Sequence, residues 1–370
     1  MKIRGLFRFS MHPFSIFVRM SVKSIFILVF VSVVVTSCNN AGNGNSESAE
    51  QSGGSQVKSV KTDSLLAAIN KRIAENPKDY KSYLERARYY GDRMEYPLAF
   101  QDISRAMEVD STKGEIYLFK GGLLFKQNKI TEAYSEYQTC LRHEATNSDC
   151  LLRKAEIDIV LGNYSYARDH INEALKQNEY NAEAYYVRGR MYKAMKDTTL
   201  AASSYKTAIE VDPNYYYAYI EVGLLYANQK SDLAKEYYNS AIELRPRSVE
   251  AWYNKAMFLQ ETGVKKPLRY REAFACYDTI LKIDGRYSPA YFNKGYIYLE
   301  YMQKYDSAAT QFTNAIGIFP NYYQAYYNRG LSNESLSKLR EAESDYRAAL
   351  AIEPTYTEAA IALERVLKSK

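Results

Sequence analysis

A small residue returns at nearly fixed intervals along most of this chain, and that period limits the possible folds more than any other feature. It stands at Ala87, Gly121, Ala155, Gly189, Gly223, Ala256, Gly295 and Gly330, in steps of 34, 34, 34, 34, 33, 39 and 35. A second small residue follows at Ala99, Ala133, Ala167, Ala201, Ala234, Ala273, Ala308 and Ala342, and seven residues later come Ala106, Cys140, Ala174, Ala208, Ala241, Ile280, Ala315 and Ala349. Four residues before each first small position is a large apolar side chain: Tyr83, Tyr117, Leu151, Tyr185, Tyr219, Trp252, Tyr291 or Tyr326. Eight registered copies predict a stack of one repeated unit, each copy covering its neighbour's apolar face.

These positions are those of the tetratricopeptide repeat, and stretches such as Ala251-Trp252-Tyr253-Asn254 and Ala325-Tyr326-Tyr327-Asn328 resemble its consensus. The resemblance covers about four-fifths of the chain. It implies an all-α, right-handed superhelical solenoid of about eight helix-turn-helix repeats over 63–370. The repeats fall at 80–113, 114–147, 148–181, 182–215, 216–248, 249–287, 288–322 and 323–356. Small residues let the two helices of a repeat approach where they cross, and the large aromatic fills the space beside them. Ser64 to Asn76 add a leading half-repeat, and a capping helix closes the stack over 357–370. Pro77, Pro213, Pro246, Pro320 and Pro354 fall between repeats, and Pro97 and Pro289 suit first-turn positions, where no hydrogen bond is lost.

The first 37 residues read as an export signal. Ile25 to Val35 is apolar, follows Lys23, and is too short for a stable bilayer span. Val35-Thr36-Ser37-Cys38 resembles the lipobox of bacterial lipoproteins, which makes Cys38 the lipidated first residue of the mature chain. Met20 is an alternative start, leaving 1–19 as either an extended charged region or an untranslated stretch. Asn39 is not the Asp that retains enterobacterial lipoproteins at the inner membrane, so the resemblance favours the outer membrane, on either face. Residues 38–62, rich in Asn, Gly and Ser, read as a flexible tether. The leader holds five basic residues and no acidic one; without it, 44 basic residues face 43 acidic ones. A chain so nearly neutral offers no general electrostatic case for nucleic acid.

The pattern of a known active site is absent from the sequence. Only His143 and His170 lie beyond the leader, neither with metal-ligand spacing, and no catalytic or phosphate-binding motif occurs. The sequence therefore predicts no enzyme, no metal and no cofactor. Beyond Cys38 there are three cysteines, Cys140, Cys150 and Cys276. Cys140 occupies a small core position, so a packed free thiol is the default and a Cys140–Cys150 bridge the alternative.

Function is then expected on a surface. Asn254, Asn293 and Asn328 recur at one position of three successive repeats, each preceded by an aromatic: Tyr253, Phe292 and Tyr327. The pattern is similar to the asparagine ladder of O-linked N-acetylglucosamine transferase, and implies a concave groove that hydrogen-bonds an extended peptide. The consensus itself also contains Tyr-Asn, so the ladder has a bland explanation too. Five extra residues in repeat 6 place Lys265, Lys266, Arg269 and Arg271 in a loop that could meet an acidic partner or lipid headgroups, or simply be solvated. The leading expectation is a lipid-anchored adaptor holding protein partners of a cell-envelope assembly, resembling repeat lipoproteins of Gram-negative bacteria, Bacteroidetes among them. A glycan-binding surface lipoprotein is the alternative, and self-association through open repeat ends is a further expectation.

Overall fold

The computed structural model describes residues 55–369. Cys38, the leader and most of the expected tether lie outside them. The chain divides into two units after Val60, and the description that follows concerns the second. Among the described residues every regular element is helical, eighteen α-helices and one π-helical turn, and no helix is long and apolar enough to cross a membrane.

A leading helix, α1 (Ser55–Glu75), precedes eight hairpins: α2–α3 (Tyr80–Gly91, Tyr96–Val109), α4–α5 (Gly114–Lys126, Ile130–His143), α6–α7 (Ser148–Leu161, Tyr164–Gln177), α8–α9 (Ala182–Ala194, Thr198–Val211), α10–α11 (Tyr216–Asn228, Leu233–Leu244), α12–α13 (Val249–Thr262, Leu268–Ile283), α14–α15 (Ser288–Tyr296, Tyr305–Ile318) and α16–α17 (Tyr323–Ser335, Leu339–Ile352). A cap, α18 (Thr357–Lys368), ends the stack. The leading helix starts at Ser55, so it reaches into the segment expected to be tether. After Gly54 that segment has no Gly or Pro to stop a helix.

Each hairpin packs through the small residues that define the period. The three alanine-type positions are fully buried throughout, from Ala87, Ala99 and Ala106 to Ala342 and Ala349. Above each first small residue stands a ring or Ile from the second helix. A Cβ added to Gly121 would come within 2.4 Å of Tyr137, one on Gly223 within 2.5 Å of Tyr238, and one on Gly330 within 2.5 Å of Tyr346. Repeats 1 and 3 have Ala87 with Ile103 and Ala155 with Ile171 instead. A methyl gained on one helix is matched by a smaller side chain on the other, which keeps the packing volume constant. Repeat 6, with the five-residue insertion, combines Ala256 with Tyr277.

Three departures from the 34-residue period are absorbed locally. The extra residues of repeat 6 lengthen α13 to 16 residues and leave a turn at 263–267. One extra residue in repeat 7 becomes a π-helical turn, Ile297–Tyr301, as expected of a single insertion within a helix. The residue missing from repeat 5 is taken out of the turn before Leu233, where Asp232 is already helical. Seven of the eight within-repeat turns, all but that of repeat 6, share one device, a left-handed residue: Met94, Asn128, Gly162, Lys196, Lys230, Gln303 and Ser337. Only Gly162 adopts it without steric cost.

The ends are tied down. The Arg86 guanidinium of α2 reaches Asn70 of α1 at 2.8 Å and Asp102 of α3 at 2.6 and 2.8 Å. At the other end Arg365 of α18 donates twice to Glu334 of α16, at 2.6 and 2.8 Å.

Cys140 and Cys150 form a disulfide, with 6.5 Å between their Cα atoms. The default of a free thiol at Cys140 is thus corrected. Cys140 lies in the last turn of α5 and Cys150 in the first turn of α6, so the tight turn between repeats 2 and 3 brings two buried sulfurs together. Cys276 is a free, buried thiol, and burial pushes its pKa up to about 11.

Candidate functional site: the inner face of the solenoid

First helices of neighbouring repeats touch one another directly, α2 with α4, α6 with α8 and α10 with α12, so they line the inside of the curve. The candidate site is read along that lining, from the N-terminal end.

On α4, Phe119, Gly122 and Phe125 recur at a spacing of three and share one helix face. Phe119 is half-buried, with the Arg88 guanidinium 5.5 Å from its ring, and Phe125 is 40% exposed. A Cβ on Gly122 would meet nothing within 4 Å. The two rings therefore flank an open notch, and exposed Val160 stands on α6 of the next repeat.

The middle of the face is ionic. Arg153 pairs with Glu156 on its own helix and with Glu183 on α8; Arg190 of α8 returns to Glu156; Lys193 of α8 pairs with Glu221 of α10. Three repeats are thus laced across their inner surface. Beside this network Tyr186 packs on Tyr215 at 5.4 Å and Tyr217 at 6.3 Å, and Arg245 lies 4.1 Å above Tyr216 and 4.8 Å above Tyr217. Such stacked cation–aromatic contacts hold side chains rigid at a groove wall.

The expected asparagine ladder lies at the C-terminal end, and most of it is closed. Asn254 is half-exposed, but Asn293 and Asn328 are only 3% and 2% exposed. Asn293 donates to the Tyr253 hydroxyl at 3.2 Å, and Asn328 to the Gln324 carbonyl at 2.8 Å. Tyr253 and Phe292 are buried and Tyr327 half-buried. The expectation that these six residues form an open row is corrected: Tyr253, Phe292, Asn293 and Asn328 are buried, and only Asn254 and Tyr327 are partly exposed.

The cover is a tyrosine from the following repeat. Tyr287 lies 5.7 Å from Tyr253, Tyr322 stacks on Phe292 at 4.8 Å, and Tyr356 meets Tyr327 at 5.1 Å. Each covering tyrosine is the residue just before a first helix, where a side chain normally caps the helix. Tyr215 does the same for Tyr186. At three of the four repeats where the inner-face residue is aliphatic, Leu118, Leu152 and Ile220, the following caps are Asn147, Asn181 and Ser248, each accepting a backbone N–H; after Leu84 stands Lys113, which makes no capping hydrogen bond. The chain gives up a capping hydrogen bond wherever an aromatic clasp replaces it. Burial raises the Tyr253 and Tyr322 hydroxyls well above the ordinary phenol range, so neither titrates near neutrality.

The repeat 6 loop is less free than its composition implies. Lys266 reaches Asp232 of the preceding repeat at 2.7 Å, and Arg269 is buried against the same carboxylate and 5.4 Å from the Phe258 ring. Their hydrogen bonds, Arg269 first, hold Asp232 down to about 2. Lys265 and Arg271 are exposed.

Of the two histidines, His143 stacks on Tyr117 at 5.2 Å. His170 sits 3.1 Å from buried Asp158, with Lys154, itself buried, over the Tyr134 ring at 4.7 Å. Among the described residues no three His, Cys, Asp or Glu side chains are grouped to hold a metal ion.

Residues 221–263 and 297–357 match one tetratricopeptide-repeat family model, and residues 182–215 match another. The chain is 24% identical over 265 residues to DnaJ protein P58IPK homolog A of Oryza sativa subsp. japonica, across 64% of this chain and 55% of that protein. It is 29% identical over 196 residues to a probable UDP-N-acetylglucosamine–peptide N-acetylglucosaminyltransferase SPINDLY of Hordeum vulgare, across 52% of this chain and 17% of that one. It spans about half the length of the first curated relatives it matches. Among solved structures, a chain of the APC/C hetero-tetramer Cut9-Hcn1 shares 16% identity at a TM-score of 0.49, covering 82% of this chain and 59% of that one. Residues 182–215, 221–263 and 297–357 are accordingly tetratricopeptide repeats, within a solenoid of the same build running from Tyr80 to Ile352.

Proposed function

We propose that this protein is a membrane-anchored adaptor of the cell envelope whose inner face, at repeats 2 to 5, captures a segment of a protein partner. The observation that carries the reading is the contrast between the two ends of that face. Phe119, Gly122 and Phe125 leave an open apolar notch in repeat 2, whereas tyrosine clasps cover the inner face of repeats 6 to 8. An apolar anchor side chain seated between the two Phe rings, with the rest of the segment running over the Arg153–Glu156–Arg190 network, fits a surface of this kind.

Two features support the envelope setting. The leader ends in a lipobox-like Val35-Thr36-Ser37-Cys38, and a disulfide joins repeats 2 and 3, which suits an oxidising compartment. Attachment at Cys38 is tested by mass spectrometry of the mature N-terminus and by fractionation of Cys38→Ala; a soluble, unacylated wild type would refute it. A glycan-binding role is less well supported, because sugar platforms need open ring faces and the tyrosines of repeats 6 to 8 cover one another.

The binding surface is tested by crosslinking pull-down from the native host. Phe119→Asp/Phe125→Asp should abolish capture of the defined partner, while Asn293→Ala/Asn328→Ala should alter capture only as far as it loosens the fold. Retained capture by the Phe119/Phe125 variant, with folding verified by circular dichroism, would refute the reading.

A further inference from the structure

We propose that the edge of the solenoid built from the within-repeat turns rests on an anionic lipid bilayer. In every repeat the two helices are antiparallel, so the eight within-repeat turns fall along one edge and the turns between repeats along the other. The two edges differ in charge. The within-repeat turns hold Arg93, Lys129, Lys196, Lys230, Lys265, Lys266, Lys304 and Lys338 against four acidic residues, Asp92, Glu95, Asp197 and Asp232. The turns between repeats hold five basic residues and seven acidic ones.

The within-repeat edge also carries large apolar side chains at its outermost positions. Met94 is 75% exposed and Leu268 71%, and Leu161, Met195, Leu233 and Val264 are each about half exposed or more. They come from repeats 1, 3, 4, 5 and 6, one or two to a turn. Met94 is held out by a left-handed backbone at the tip of its turn, beside which apolar exposure has no packing reason. Single apolar side chains on protruding tips, with a Lys or Arg in the same turn in repeats 1, 4, 5 and 6, form no pocket for a partner's side chain. They suit a laterally uniform surface, into whose interface they dip while the ammonium groups meet lipid phosphates. An acidic protein would need shape complementarity that a row of separate tips does not offer. The inference stands on the described solenoid and holds whether or not Cys38 is acylated.

The test uses the full chain with Cys38→Ser, so that no acyl group contributes, and with Trp252→Tyr, the residue found at the equivalent place in most other repeats. A single Trp is then introduced by Leu268→Trp, by Met195→Trp, or on the opposite edge by Tyr180→Trp, a site 72% exposed. Vesicles of phosphatidylcholine and phosphatidylglycerol carry brominated acyl chains that quench Trp on contact. Emission at positions 268 and 195 should fall and shift to the blue, and emission at 180 should stay unchanged. The quenching should weaken at high salt, on vesicles lacking phosphatidylglycerol, and in Lys129→Glu/Lys196→Glu/Lys230→Glu/Lys265→Glu. Equal quenching at both edges, or none at 268 and 195, would overturn the proposal and leave the edge to an acidic protein or to solvent.

Discussion

Gly189 lies beneath the Tyr205 ring so closely that a Cβ added there would stand 2.4 Å from the ring's Cε1. Tyr205 is fully buried, and repeats 1 and 3 solve the same crossing with Ala and Ile. Gly189→Ala alone should therefore destabilise by about 1–3 kcal/mol through overpacking. Adding Tyr205→Ile should recover a large part of that loss, because it recreates the Ala155–Ile171 arrangement. Denaturant midpoints of the two single variants and the double variant measure the coupling. Additive losses would show that the crossing tolerates the methyl in another way.

The tyrosine clasp makes a separate prediction. Tyr322→Asn offers α16 a capping side chain worth ~1 kcal/mol but removes a ring that is 8% exposed and stacked on Phe292. Loss of such a ring costs about 3–5 kcal/mol, so the variant should be less stable than wild type. Amide exchange should rise at Phe292 and Asn293, the residues uncovered.

The disulfide closes a loop of ten residues' separation between α5 and α6. On chain-entropy grounds its removal should cost roughly 2–3 kcal/mol. Because repeats interact mainly with their neighbours, Cys140→Ala/Cys150→Ala should raise amide exchange chiefly in repeats 2 and 3. In the non-reduced native protein Cys276 should resist thiol reagents until denaturant is added, since its thiol is buried and its pKa raised.

Acid should weaken repeat 3. Burial, and then the charge of Lys154, lower the His170 pKa despite the opposing pull of Asp158 and Asp169. The unfolded chain then takes up a proton on this histidine before the folded one does, so stability falls as pH drops through the ordinary imidazole range near 6.5. Lys154 is lowered as well, by burial, and Tyr134 packs against it. His170→Gln should flatten the decline in unfolding midpoint between pH 7 and pH 5. An unchanged slope would show that other groups set it.

The number, order and pairing of the helices were legible in the sequence, because the small residues recur in register and each buries its own crossing. The clasps were harder to read. Asn293 looks exposed when its repeat is taken alone, and the residue that covers its neighbour Phe292 is Tyr322, thirty positions on. The signal was present: Tyr215, Tyr287, Tyr322 and Tyr356 stand where Asn or Ser would cap a helix. The open notch was missed because Gly122 sits beside the period-marking Gly121 and reads as part of it. Two cysteines ten residues apart leave bridge geometry undetermined until the turn between them is known. The Lys266 and Arg269 pairing depends on Asp232, one repeat earlier, in the turn that lost a residue.

The most direct measurement places a photo-crosslinking residue at Phe125 in one full-length protein and at Asn293 in another, each expressed in the native host. A partner crosslinked from position 125, and lost when Phe119→Asp is added, is the predicted result. The Asn293 site should give no specific product. Capture from 293 with none from 125 would contradict the assignment of binding to the open end of the inner face, and would return the asparagine positions to the partner-binding surface.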